Sequence, residues 1–230
     1  MSSIGRNLQE IKGRIAAACA AAGRDANAVT LLAVSKTQPA AAVREAAAAG
    51  QRDFGENYVQ EALDKMALLG DLPLRWHLIG PLQSNKTRAV AEAFDWVHSV
   101  DRLKIAERLA AQRPPHLAPL QLCLQVNVSG EASKSGVPPA ELPALARAVA
   151  ALPAGRVRLR GLMAIPAPAD TPEAQRAPHR VLRELAAALD AQGLHLDTLS
   201  MGMSDDLEAA VLEGATLVRI GTAVFGRRKP

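Results

Sequence analysis

The sequence predicts an α/β protein: a (β/α)8 TIM barrel with an extra N-terminal helix, forming a single domain over residues 1–230. Three observations carry that reading. Strand-like and helix-like segments alternate from about residue 29 to the end, eight strand candidates have a helical stretch in every gap, and no GxGxxG dinucleotide loop follows the first strand. Repeated βαβ units require parallel strands, and 230 residues is close to the ~250 typical of that barrel. A doubly wound open sheet is the alternative architecture.

Taken in order, Ile4, Leu8, Ile11 and Ile15 recur every three or four positions, the stripe of an amphipathic helix. Strands are expected at 29–35, 52–55, 75–79, 96–100, 120–128, 158–165, 197–201 and 216–221. Helical spacing fills 40–49, 57–69, 83–93, 102–112, 139–151, 173–192 and 204–214. Gly193 fits the C-terminal cap of the sixth of these helices, and Ser204-Asp205-Asp206 fits the start of the last. Pro114-Pro115, Pro138-Pro139 and Pro166-Ala167-Pro168 fall in or beside loops, and no low-complexity linker divides the chain.

Composition narrows the function classes. The chain is 49% hydrophobic but 3% aromatic, with alanine prominent, which favours helix. Its net charge of +4 comes from basic residues spread along the sequence, apart from Arg227-Arg228-Lys229, so nucleic acid is not an expected partner. Cys19 and Cys123 are far apart with no CxxC partner, which argues against a zinc site or a disulfide framework and for a reducing compartment. Arg6, Glu10, Lys12 and Arg14 interrupt the N-terminal segment, unlike a signal peptide, and no stretch reaches the roughly 18 apolar residues of a membrane span. A soluble, cytoplasmic protein is expected.

Lys36 stands at the far end of the largely apolar run Val29-Thr30-Leu31-Leu32-Ala33-Val34. An amine held at the mouth of a core is more often neutral than one in water, and the neutral amine attacks aldehydes and ketones. The competing reading is a strand-end lysine with a solvated head. Asn57 follows the second strand, Ser200 to Ser204 follow the seventh, and Arg219, Gly221 and Thr222 come from the eighth, so all converge where such barrels hold ligands. The segment Ser200-Met201-Gly202-Met203-Ser204 with Gly221-Thr222 beside it suits an anion such as phosphate, or is an ordinary strand-turn-helix with Ser204 as N-cap. Arg219 either binds a ligand or pairs with a carboxylate; Asn57 could cap the next helix; His77 reads as a hydrogen-bonded strand residue, having no metal partner at usable spacing.

Five blocks in order give the chain a family resemblance: Ala33-Val34-Ser35-Lys36-Thr37, Phe54-Gly55-Glu56-Asn57-Tyr58-Val59-Gln60-Glu61, Trp76-His77-Leu78-Ile79-Gly80-Pro81-Leu82-Gln83-Ser84-Asn85-Lys86, Ser200-Met201-Gly202-Met203-Ser204-Asp205-Asp206 and Val218-Arg219-Ile220-Gly221-Thr222-Ala223-Val224-Phe225-Gly226. Over nearly its whole length it resembles the pyridoxal 5′-phosphate homeostasis proteins, single-domain relatives of the alanine-racemase barrel. The resemblance implies a barrel that holds pyridoxal 5′-phosphate as a Schiff base on Lys36. It implies Asn57 beside the ring, Arg219 facing the pyridine nitrogen, Ser204 with the Gly221-Thr222 backbone on the phosphate, and Ser200 and Met201 lining the site. Lys134 matches a family lysine suggested as a secondary cofactor contact, and the basic C-terminus is weakly matched.

An arginine on the ring nitrogen cannot accept its proton and leaves the ring a weak electron sink. Racemisation tolerates that but needs a second base opposite Lys36; the racemase relatives take a tyrosine from a separate β-domain, and Tyr58, the sole tyrosine here, has no mark of a replacement. The expected function is therefore binding, buffering and delivery of the cofactor without established turnover, in intracellular vitamin B6 homeostasis. Pyridoxal-phosphate-dependent apo-enzymes are the expected recipients and a monomer the expected state. An amino-acid racemase, an aldolase-type barrel whose Lys36 attacks a phosphorylated sugar, and a scaffold without a ligand are the alternatives.

Overall fold

Residues 2–130 and 135–226 are described by this computed structural model. Lys134 and the Arg227-Arg228-Lys229 tail lie outside the described residues. Eight parallel strands close into a barrel in chain order: β1 (Thr30–Val34), β2 (Asp53–Glu56), β3 (Arg75–Leu78), β4 (Trp96–Val100), β5 (Leu120–Gln125), β6 (Val157–Met163), β7 (Thr198–Ser200) and β8 (Leu217–Ile220). Closure is made by β8 on β1, with Thr30 opposite Leu217 through to Ala33 opposite Ile220. Around them run α1 (Ser3–Ala21), α2 (Ala40–Ala48), α3 (Val59–Leu68), α4 (Thr87–Ala93), α5 (Leu103–Gln112), α6 (Leu142–Ala150), α7 (Pro172–Asp190), α8 (Leu207–Leu212) and α9 (Thr222–Phe225). Leu32, Leu78, Leu122, Leu162 and Val218 are fully buried, as strands covered on both faces require.

Helix α1 is the addition to the eightfold pattern. Ser2 caps it, its hydroxyl accepting from the Gly5 N–H at 3.1 Å, and the expected stripe of Ile4, Leu8, Ile11 and Ile15 is buried together with Ala18 and Cys19. The helix packs across α2, α8 and α9. Two polar ties fix it there: the Asn7 amide donates to the Val224 carbonyl at 2.9 Å, and beyond the helix end Arg24 donates to the carbonyls of Val211 and Ala215 at 2.8 and 2.7 Å.

The differences from the sequence expectation lie at element ends. β5 stops at Gln125 instead of 128, because the Asn127 N–H pairs with Val137 of the following loop. β6 stops at Met163, ahead of Pro166 and Pro168, which have no N–H to extend a ladder. α6 begins at Leu142 rather than 139 because Pro138 and Pro139 lack N–H donors and constrain the residues before them. α8 begins at Leu207 rather than 204, with Asp206 at its N-cap, so Ser204 does not cap it; the Asp206 carboxylate instead accepts from the Met203 N–H at 2.6 Å. Gly193 (φ 84°) lies two residues past the Ala191 cap of α7. The single turn of α9 was not anticipated.

Because Leu8 is completely buried in α1, a helix packed on α2, α8 and α9, Leu8→Ala is expected to cost about 2–5 kcal/mol. Urea unfolding measures it, and a loss below roughly 1 kcal/mol would show α1 to be a peripheral strap rather than part of the core.

Candidate cofactor-binding site

The C-terminal ends of the strands open onto a cavity of about 690 Å³, a size usual for small-molecule sites. Lys36, Asn57, Ser204, Arg219, Gly221 and Thr222 line it, so six of the eight expected residues share one wall system. Ser200 and Met201 do not. Both are fully buried: Ser200 lies beneath Arg219, and Met201 packs into the apolar core. Met203, within the expected Ser200–Ser204 loop, also lines the cavity, as do Arg14 and Ile165, which escaped sequence reasoning.

Lys36 follows β1 on a backbone turn marked by Thr37 at φ 63°. A second lysine fixes that turn. Lys65 of α3 is buried and donates to the Ser35 carbonyl at 2.6 Å and to Glu56 Oε1 at 2.7 Å, with Glu61 Oε1 also at 2.7 Å. The Ser35 hydroxyl donates to the same Glu56 oxygen at 2.6 Å. Burial raises the Glu56 carboxyl above its ordinary range, more than Lys65 and Ser35 lower it. The two lysines therefore differ in kind: Lys65 has its protons committed to oxygens, whereas Lys36, half-buried in the cavity wall, has no hydrogen bond or ion pair among the described residues.

On the neighbouring strand β8, Arg219 is almost fully buried. Its Nη1 donates to the Ser200 carbonyl at 2.6 Å and the Ser200 hydroxyl oxygen at 2.8 Å, and Nη2 donates to the Ala164 carbonyl at 2.8 Å. Burial brings the guanidinium down to about 10, which leaves it charged at neutral pH. Its partners are two carbonyls and a hydroxyl, so the carboxylate ion pair that competed as its role is absent among the described residues. Asn57 is no helix cap: α3 starts at Val59 after Tyr58, and the buried Asn57 Oδ1 has no partner. Gly80 permits its backbone to sit there, since a Cβ at Gly80 would lie 2.3 Å from the Asn57 oxygen.

The loop after β7 turns at Gly202, whose φ of 93° and 2.5 Å approach of any Cβ to Ala210 exclude larger residues. Asp206 clamps it: Oδ1 takes the Met203 N–H, and Oδ2 lies 2.8 Å from His179 Nε2. Burial alone would raise the Asp206 carboxyl, but His179 and the Met203 N–H bring it below its ordinary value. From outside, Arg14 of α1 holds Glu208 through two bonds of 2.8 and 2.9 Å and donates to the Ser204 carbonyl at 3.1 Å. Beside this loop, Thr222 opens the single turn of α9, in which the Val224 and Phe225 N–H groups donate to the Gly221 carbonyl at 2.9 and 3.0 Å.

His77 is the hydrogen-bonded strand residue expected, lying 3.1 Å from Asp53 and 3.0 Å from His98. Burial lowers both histidines, His98 well below its usual value with help from the charge of Arg219. Burial would raise Asp53, yet His77 and Arg75 hold it down at about 2. Among the described residues no group of His, Cys, Asp and Glu is placed to hold a metal, and no helix is long and apolar enough to cross a membrane.

A closed parallel barrel with a strand-end lysine in one cavity with the loops after β7 and β8 defines a class. The family model for the alanine racemase N-terminal domain matches residues 6–229. Within that class, the chain is 67% identical over 228 residues to the pyridoxal phosphate homeostasis protein of Pseudomonas aeruginosa, covering 99% of this chain and 97% of the relative. It is 55% identical over 231 residues to the protein of that name from Escherichia coli K12, covering 99% and 98%. The structure of PipY of Synechococcus elongatus with pyridoxal phosphate bound superposes with a TM-score of 0.85 at 44% identity, over 97% of this chain and all of that one. The chain belongs to the pyridoxal phosphate homeostasis protein family.

His77 and His98 make folding sensitive to mild acid. An unfolded histidine takes up its proton near 6.5 while these two, lowered by burial, do not, so stability is full above about 6.5 and falls as pH drops below it, by up to roughly 1.4 kcal/mol per pH unit for each ring. Glu56, raised by burial, works in the opposite sense. Urea unfolding between pH 8 and 5, compared with His98→Gln, isolates the histidine part; an unchanged slope in the variant would refute it.

Proposed function

We propose that this chain binds pyridoxal 5′-phosphate as a Schiff base on Lys36 and serves vitamin B6 homeostasis as a carrier that buffers and delivers the cofactor. The observation that carries the reading is the uncommitted Lys36 amine, facing a cavity that the Ser204 and Gly221-Thr222 loops and Arg219 also line. The bound cofactor in PipY and the name shared by the relatives support it. Two features of this chain's own residues fit the group: the unpartnered Asn57 Oδ1 beside the cavity, and the positive-φ turn at Gly202 that brings backbone close to where an anion would lie.

The cofactor supplies an aldehyde that condenses with amines and a ring that withdraws electrons. The chain supplies position. Lys36 offers the attacking nitrogen, the backbone before it held at Ser35 by Lys65 and Glu56. Ser204, Gly221 and Thr222 would take the phosphate end and Asn57 would flank the ring; Arg219, charged and unable to accept a proton, would face the ring nitrogen and leave it unprotonated. That weakens the electron sink and favours holding over turnover. A racemase needs a second proton carrier opposite Lys36, and among the described lining residues Asp205, exposed at the rim, is the one remaining candidate; Tyr58 points away, 59% exposed and outside the cavity wall. No observation favours that second reading. Delivery to apo-enzymes and a monomeric state belong to the same proposal.

Purified protein mixed with pyridoxal 5′-phosphate is expected to gain a visible absorption band that borohydride removes, with the reduced adduct mapping to Lys36 by mass spectrometry. Lys36→Ala abolishes the band, and Ser204→Ala weakens binding by about tenfold, the value of a lost bond to an anion. An adduct mapped to another lysine, or none, overturns the assignment.

A further inference from the structure

The interior of a parallel barrel is ordinarily filled by branched apolar side chains. Here a row of polar groups crosses it. Asp53 opens β2, His77 lies in β3, His98 in β4, Ser200 ends β7 and Arg219 lies in β8, and all five are buried. The contacts run Asp53 Oδ1 to His77 Nε2 at 3.1 Å, His77 Nδ1 to His98 Nε2 at 3.0 Å, His98 Nδ1 to the Ser200 hydroxyl at 2.8 Å, and that hydroxyl to Arg219 Nη1 at 2.8 Å. The step from His98 to Ser200 spans the barrel between strands that are not neighbours.

The chemistry of the two ends orders every bond between them. Arginine only donates, so the Ser200 oxygen accepts from Nη1, and its own proton goes to His98 Nδ1 once the Asp53 end leaves that nitrogen bare. His98 then carries its proton on Nε2 and donates to His77 Nδ1, and His77 carries its proton on Nε2 and donates to Asp53. An ionised carboxylate only accepts, so the Asp53 end demands the same two tautomers. A proton on either bare nitrogen would set donor against donor, and burial keeps both rings neutral. The plane of His77 is fixed independently: it stacks on Trp96 with centroids 5.4 Å apart and planes 8° from parallel, and Trp96 in turn meets the Arg160 guanidinium at 4.9 Å and the His98 ring at 5.8 Å.

We propose that Asp53, His77 and His98 are positioning residues for the cofactor ring: by fixing the tautomer of His98 they keep Ser200 an acceptor, and Ser200 then locks the Arg219 guanidinium against the ring nitrogen. This rests on the reading of Arg219 given above. Without His98, the Ser200 hydroxyl proton loses its acceptor. The oxygen that now anchors Nη1 is then free to rotate its proton toward a cation, and the guanidinium is left with two carbonyls alone.

The test compares pyridoxal 5′-phosphate with its 1-deaza analogue, in which a C–H replaces the ring nitrogen. Wild-type protein is expected to bind the natural cofactor more tightly. His98→Leu is expected to weaken pyridoxal phosphate by about tenfold while changing the deaza analogue by less than about twofold, and His98→Asn, whose Oδ1 can replace Nδ1 as the acceptor, to recover most of the loss. Ser200→Ala, which deletes one atom, carries the same test if His98→Leu does not fold; melting temperatures of the unliganded variants report the fold separately. Equal losses for both probes overturn the positioning role. A wild type that binds both probes equally removes Arg219 from the ring nitrogen and this inference with it, and a wild type that binds neither overturns the function itself. Independently of any ligand, 15N spectra of histidine-labelled protein are expected to show His77 and His98 protonated on Nε2 at neutral pH; a proton on Nδ1 of either ring overturns the chain.

Discussion

The pairing of β8 with β1 is the constraint on which the site depends. In a closed sheet of parallel strands every C-terminal end faces one way, so residues far apart in sequence meet at a single rim. The closing register sets Leu32 beside Arg219 and Ala33 beside Ile220, which brings Lys36 and the Gly221-Thr222 turn to the same edge of the mouth. Side chains alternate along a strand, so a slip of one residue in that pairing would turn Arg219 out of the barrel and toward the helices. The chemistry is thus inherited from a backbone register, and the buried apolar residues of β1 and β8 enforce it.

A rim made of loops must still be held still. The loop after β7 is fixed on both sides: Asp206, in contact with His179 of α7, takes the Met203 N–H, while Arg14 of α1 takes the Ser204 carbonyl and Glu208. Helix α1, which the eightfold repeat does not need, thereby has a function in the site. Its apolar stripe binds it to α8 and α9, and one polar residue between Ile11 and Ile15 reaches over the edge. Glu213 reinforces the same side, its buried carboxylate facing Arg176, Arg180 and Arg183.

Much of this was legible in the sequence, for a physical reason. Alternation of strand and helix signals specifies parallel strands, parallel closure specifies the mouth, and strand-end residues such as Lys36, Asn57 and Arg219 follow from topology without any knowledge of side-chain contacts. What was missed depends on contacts between elements that sequence spacing does not encode. Arg14 sits on a helix that reads as ordinary amphipathic surface. Ser200 and Met201 share a segment with Ser204, and only the direction of each side chain separates the buried pair from the cavity wall. His98 left a faint signal in Trp96-Val97-His98-Ser99-Val100, a polar ring inside a buried strand, but its partner in β7 is 102 residues away. Element ends shifted where side chains or loops competed for backbone groups, as at Asp206 and Val137.

A polar row through a barrel core is destabilising unless each group is satisfied, and burying charges is worse than burying dipoles. The arrangement here limits that cost by confining charge to the ends. Asp53 meets Arg75 at the floor through two bonds of 2.6 Å, where water has access to Arg75, and Arg219 lies against the mouth. Between them stand two neutral rings and a hydroxyl, each with one donor and one acceptor used. A leucine in place of His98 would remove a polar group from the core but leave the Ser200 hydroxyl without an acceptor, next to a buried cation. Stability alone gives no reason to build such a row where leucine and valine would fill the space. A requirement to hold one guanidinium at a set place and angle does, and the rotamer freedom of arginine is what the row removes.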